Sequence, residues 1–136
     1  MSVVHLRPTV RAGLIAHARD EAPDECCGLL IGTGTVIEES VRVPNVDARP
    51  RSRYLLDPAA HIAVRRQLRG TPRVILGVYH SHPASPAEPS DTDLREACYP
   101  EFVWIIVSLV EPGRPAMAAF RLCDRVATPL TLLEAP

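Results

Sequence analysis

The chain contains no lysine; all fifteen of its basic residues are arginine, so no side chain offers an amine for isopeptide attachment. Aromatic residues make up 4% of the sequence, and tryptophan occurs once, at Trp104. No apolar run approaches the ~20 residues needed to cross a bilayer. The N-terminus carries neither the basic nor the apolar region of a secretion signal, so no membrane association is expected. A net charge of −1 removes the electrostatic motive for binding nucleic acid or an anionic lipid surface. No Cys-x-x-Cys pair is present. With no leader ahead of them, Cys26, Cys27, Cys98 and Cys123 are expected to be reduced, buried thiols of a cytoplasmic protein. There are no repeats and no low-complexity tracts.

What is present suits one folded domain spanning residues 1–136, since an apolar fraction of 46% and a charged fraction of 23% are ordinary for a globular core and surface. Val3–Leu6 reads as a short strand. Pro8, a residue that fits the first helical position, opens a helix to about Asp20. Val10, Leu14, Ile15 and Ala18 form its apolar stripe, and His17 is expected on its surface. Cys26–Ile31 is an apolar strand, Gly32-Thr33-Gly34 a tight turn, and Thr35–Val43 the partner strand, with Glu38 and Glu39 breaking its alternation. Pro44–Arg53 is a polar loop carrying Arg49, Arg51 and Arg53. Asp57-Pro58 then caps and starts a helix that Gly70 closes, with His61 on its surface. Phe102–Val110, Ala116–Leu122 and Val126–Leu133 complete the strands, and Trp104 is expected in core or groove packing. Helices alternating with strands, some joined by hairpins, predict an α/β fold with a mixed sheet flanked by helices.

The chemistry concentrates in residues 79–93. Arg73–Val78 is a β-branched apolar run leading into Tyr79-His80-Ser81-His82-Pro83. Side chains alternate along a strand, so His80 and His82 share a face while Tyr79 and Ser81 take the other. Pro83, Pro86 and Pro89 stiffen the loop that follows. Ser90-x-x-Asp93 ahead of Leu94 and Ala97 is a helix start with Ser90 as N-cap, and it turns Asp93 back toward the histidines. Two imidazole nitrogens and one carboxylate oxygen leave a fourth corner free, which is how catalytic zinc is commonly held, whereas structural zinc is closed by four protein ligands. Asp91 is the rival ligand. Its place two residues earlier on a different helix face makes it a first-turn charge complementing the helix dipole.

His80-x-His82, seven residues, then Ser90-x-x-Asp93 resembles the signature of the JAMM (MPN-plus) metallopeptidases. That family also requires an upstream glutamate, and Glu25 in Pro23-Asp24-Glu25-Cys26-Cys27-Gly28-Leu29-Leu30-Ile31-Gly32 matches its position. The resemblance covers nearly the whole chain and implies the JAB-domain form of the cytidine-deaminase-like architecture. A true deaminase is disfavoured, because His-x-Glu and Pro-Cys-x-x-Cys are missing. The resemblance further implies one zinc per chain on His80, His82 and Asp93, with Glu25 as general base. Ser90 is either a helix cap or a donor to the developing oxyanion. The implied substrate is a ubiquitin-like sulfur-carrier protein, cut after its C-terminal Gly-Gly to release cysteine or a short extension. The turn at Glu111–Pro115 is short, so a long ubiquitin-clasping insertion is not expected there. Three other readings stand beside this one: deconjugation of lysine-linked modifiers, a cell-wall or phage-tail type hydrolase, and a zinc-stabilised binding module that the intact Glu25 argues against.

Overall fold

A computed structural model describes residues 2–136. Among these residues the elements run β1 (Val3–Leu6), α1 (Pro8–Glu21), β2 (Cys27–Thr33), β3 (Val36–Val43), α2 (Pro58–Leu68), β4 (Val74–His82), α3 (Asp91–Glu96), β5 (Val103–Ser108), β6 (Ala116–Cys123) and β7 (Val126–Glu134). The α/β class and the mixed sheet follow the expectation, since β1 and β4 run parallel to neighbours while the hairpin pairs are antiparallel. The sheet also closes on itself in the order β1-β3-β2-β4-β5-β6-β7, with β1 sealing the gap by pairing with both β3 and β7.

Two local departures have plain causes. The β2–β3 turn falls at Gly34–Thr35, one to two residues later than the glycines suggest, because Gly34 alone takes the left-handed conformation (φ +59°). The broken alternation at Glu38 and Glu39 is a β-bulge. Ile31 pairs with Glu39 and Gly32 with Ile37, leaving Glu38 as the extra residue.

Packing divides into two apolar clusters on opposite faces of β4. Tyr79 packs with Val10, Leu14 and Ala18 of α1, whereas Val78 packs with Val64 of α2 and Leu94 of α3. His17 is not on the surface as its helix position suggested. It is 3% exposed, and its Nδ1 lies 2.7 Å from the Tyr79 hydroxyl. Gly28 lies beside the Tyr79 ring, where a Cβ would collide with it and with the Val41 carbonyl. Burial, with help from Arg42, lowers the His17 pKa to about 4, so the ring is neutral in the fold. The thiols divide as well. Cys26 and Cys27 are buried as expected, and burial pushes them up to about 11 and about 12. Cys98 and Cys123 are exposed, because one follows the short α3 and the other ends β6 at a turn.

Candidate metal centre

Strand β4 delivers both histidines, since residues 78, 80 and 82 face α2 and α3. His80 is fully buried and His82 is 4% exposed. The proline-stiffened loop then folds under His82, whose Nδ1 lies 2.8 Å from the Pro86 carbonyl. A carbonyl can only accept, so Nδ1 carries a proton, and in the neutral ring Nε2 is the nitrogen whose lone pair faces the interior of the site. The Ser108 hydroxyl of β5 anchors the same loop by donating to the Ser85 carbonyl at 2.6 Å. The Tyr54 ring stacks on His80 with centroids 4.3 Å apart.

Helix α3 supplies the carboxylate through the expected capping box. Ser90 Oγ accepts the Asp93 N–H at 3.0 Å, and Asp93 Oδ2 accepts the Ser90 N–H at 2.9 Å. That reciprocal cap places Asp93 Oδ2 at 3.1 Å from both His80 Nε2 and His82 Nε2, which are themselves 3.2 Å apart. Burial alone would raise the Asp93 pKa, but the two histidines hold it well below the usual carboxylate range. Asp91 is exposed in the first turn and makes no contact with the histidines among the described hydrogen bonds, in keeping with its assignment as a helix charge. The cap leaves the Ser90 hydroxyl hydrogen uncommitted, so capping uses the oxygen lone pair and donation uses the proton. The two expected roles of Ser90 are therefore compatible.

Glu25 lies two residues ahead of β2, next to His80 through the Cys27–His80 strand pairing. It is 6% exposed, and a ligand-type atom of each of Glu25, His80 and His82 lies within 4.8 Å of the others. Burial raises its pKa to about 7, opposed by His82 and reinforced by Asp93 and Asp47. Ser81, between the two histidines but facing the other way, locks this segment to β4. Its Oγ accepts the Cys26 N–H at 2.8 Å, and its N–H donates to the Cys26 carbonyl at 3.1 Å.

The donor set fits a cation. With metal–nitrogen and metal–oxygen bonds of about 2.0–2.1 Å, ligands of a tetrahedral zinc lie roughly 3.3 Å apart, close to the 3.1–3.2 Å spacing here. Burial opposes a charge on His82, but its hydrogen bonds to Asp93 and to the Pro86 carbonyl raise its pKa, so a cation at this triangle would displace a proton shared between His82 and Asp93. Glu25 Oε1 and His80 Nδ1 are buried without a partner among the described residues.

Residues 8–123 match the family described as prokaryotic homologs of the JAB domain. The chain belongs to that family. It is 32% identical over 135 residues to the CysO-cysteine peptidase of Mycobacterium tuberculosis, covering 97% of this chain and 92% of the relative. The desampylase of Haloferax volcanii is 34% identical over 113 residues, covering 79% and 81%. A solved protein from Desulfitobacterium hafniense superposes with a TM-score of 0.88 at 32% identity, over 97% and 92% of the two chains. The chain is accordingly a hydrolase of the JAMM type.

In this JAB domain a cavity of about 280 Å3 opens beside the candidate metal centre, lined by Tyr54, Leu56, Val78, Asp93, Tyr99 and Trp104 among others. Trp104 is 5% exposed and walls this groove, as its apolar strand suggested. Of the loop arginines, Arg53 is tied to Glu96 and, at 3.8 Å, to Asp47, whereas Arg49 and Arg51 are exposed. Tyr54, stacked on His80, and Asn45, bonded to the Glu25 carbonyl, are the neighbours of the site that the sequence reading did not single out. The sequence reads Tyr54-Leu55-Leu56 as an extended segment beginning at the tyrosine, and the Pro-Asn pair at 44–45 carries a turn signal. No helix among the described residues is long and apolar enough to cross a membrane.

Proposed function

We propose that the chain, with one zinc ion, hydrolyses the amide that follows the C-terminal Gly-Gly of a ubiquitin-like sulfur-carrier protein, releasing cysteine or a short extension. The observation that carries this reading is the triangle of His80, His82 and Asp93, 3.1–3.2 Å on a side, with the Glu25 carboxylate beside it. His80, His82 and Asp93 would hold the zinc, which when bound supplies a Lewis acid for the scissile carbonyl and acidifies the attacking water. Glu25 takes a proton from that water and returns it to the leaving amine, a shuttle suited to a carboxyl that titrates near neutrality. Ser90 donates its free hydroxyl hydrogen to the carbonyl oxygen as negative charge develops there.

Recognition rests on the substrate's extended tail. Asn45 and Leu56 form an isolated antiparallel bridge, in which Leu55 C=O accepts from Val46 N–H and Asp57 N–H donates to Pro44 C=O. The main-chain groups of Tyr54 and Leu56 therefore point away from this pairing, and no strand of the barrel takes them up. A peptide laid along them gains strand-type hydrogen bonds and runs toward His80 beside the apolar groove. Glycines before the scissile bond would pass where a β-carbon would not. The name CysO-cysteine peptidase, borne by a relative matched over nearly its whole length, supports cysteine as the leaving group.

The test uses zinc-loaded enzyme on carrier proteins ending in Gly-Gly-Cys, in Gly-Val-Cys, or in Gly-Gly linked to a lysine side chain, with products weighed by mass spectrometry. Cleavage after Gly-Gly is expected, and the valine substrate should be slower by roughly tenfold or more. Equal rates on glycine and valine would refute the narrow channel. No cleavage of any carrier adduct would move the cell-wall hydrolase reading ahead.

A further inference from the structure

The groups of the proposed reaction sit on β4, on α3 and just before β2, yet one side chain outside these elements joins the base to the substrate edge. Asn45 lies past the end of β3 and is half-buried. A carboxamide has two donor hydrogens and two acceptor lone pairs, and Asn45 uses all four. Its Nδ2 donates to the Glu25 carbonyl at 2.9 Å and to the Arg53 carbonyl at 3.0 Å. Its Oδ1 accepts from the Asp47 N–H at 3.1 Å and the Leu55 N–H at 3.0 Å. The pattern fixes the amide orientation, because a flipped group would set oxygen against two carbonyls.

The anchoring of Glu25 makes this consequential. Its N–H donates to the Pro50 carbonyl at 2.7 Å, and its C=O accepts from Asn45. Both main-chain anchors of the base thus come from the 44–53 loop, and the barrel takes hold only one residue later, through Ser81 and Cys26. The same Asn45 grips Arg53 and Leu55, the residues on either side of Tyr54, from the face opposite the open edge. A tail paired along Tyr54–Leu56 holds the strand that Asn45 holds from behind.

We propose that Asn45 is a positioning residue: it sets the Glu25 carboxylate against the metal ligands and couples that placement to the peptide-binding edge. This rests on the reading of Glu25 as general base. A misplacement of about 1 Å costs on the order of 10²-fold in rate, so one side chain fixing the backbone of the base has that much to lose.

The experiment measures kcat, KM and zinc content for Asn45→Asp and Asn45→Ala, each in the wild-type and in the Glu25→Gln background. Asn45→Asp keeps the shape and both acceptors but turns oxygen toward the Glu25 and Arg53 carbonyls, so it serves if Asn45→Ala does not fold. In the wild-type background kcat should fall by roughly 10- to 100-fold with zinc retained, and KM for the carrier should rise with alanine as the edge loosens. In the Glu25→Gln background the further loss of kcat should be less than about twofold, because no base remains to be positioned. Equal fold-losses in both backgrounds, an unchanged kcat, or loss of zinc would each overturn the proposal. If Glu25→Gln alone kept wild-type turnover, the base assignment itself would fall. A full Glu25 effect without an Asn45 effect would overturn only the positioning role.

Discussion

Replacing Glu25 with glutamine should make the metal-free protein more stable at pH 8 while removing most of its turnover. The buried carboxyl keeps its proton in the fold up to about pH 7, whereas its ordinary value is 4.5. Between those values the folded state binds more protons than the unfolded one. Stability is therefore lost as pH rises from about 4.5 to about 7, and it stays lost above. At ~1.36 kcal/mol per pH unit the difference amounts to at most about 3 kcal/mol. Glutamine cannot ionise, so the variant should track the wild type near pH 4.5 and exceed it at pH 8 by up to that amount. Urea unfolding of metal-stripped protein at pH 4.5, 6 and 8 measures the gap. Bound zinc should shrink it, since a nearby cation favours the carboxylate. The same variant should lose roughly 10²- to 10⁴-fold in kcat, the usual contribution of a general base. A stability difference that does not change with pH would refute the reasoning, because the cost would then not be ionisation.

Two more outcomes are expected. Metal analysis of purified protein should find close to one zinc per chain, lost in His82→Ala and Asp93→Ala but kept in Asp91→Ala. Zinc retained by Asp93→Ala and lost by Asp91→Ala would reverse the ligand assignment. His17, held neutral with a pKa lowered to about 4, gives stability that is full above its ordinary 6.5 and lost as pH falls toward 4. His17→Gln should flatten that acid limb by up to about 3 kcal/mol in zinc-loaded protein, and an unchanged limb would exclude His17 as its source.

The site was legible where its geometry is local. A two-residue period places His80 and His82 on one face, and a four-residue cap aims Asp93, so the triangle follows from spacing alone. Glu25 is different. It stands more than fifty residues away, and nothing in its neighbourhood distinguishes it from a solvated acid, so only the family pattern singled it out. Asn45 was out of reach for the same reason, because its four partners are main-chain groups brought together by the fold. His17 was misplaced although the signal existed: seven residues after Val10 and three after Leu14, it falls on the apolar stripe, and its polarity outweighed its position. Closure of the sheet left no local trace, since β1 meets β7 across almost the entire chain.

A sheet that closes on itself also shapes how copies of the protein behave in crowded solution. Exposed strand edges are templates on which chains stack into aggregates, and closure removes them. Among the described residues the stretch Tyr54–Leu56 remains unpaired on one side, flanked by the charged Arg53 and Asp57. Three residues suffice to seat the end of a passing tail but fall short of the six or seven that self-propagating cross-β stacks typically use. On the proposed reading of this edge, the protein receives strands as guests without becoming a seed for its own.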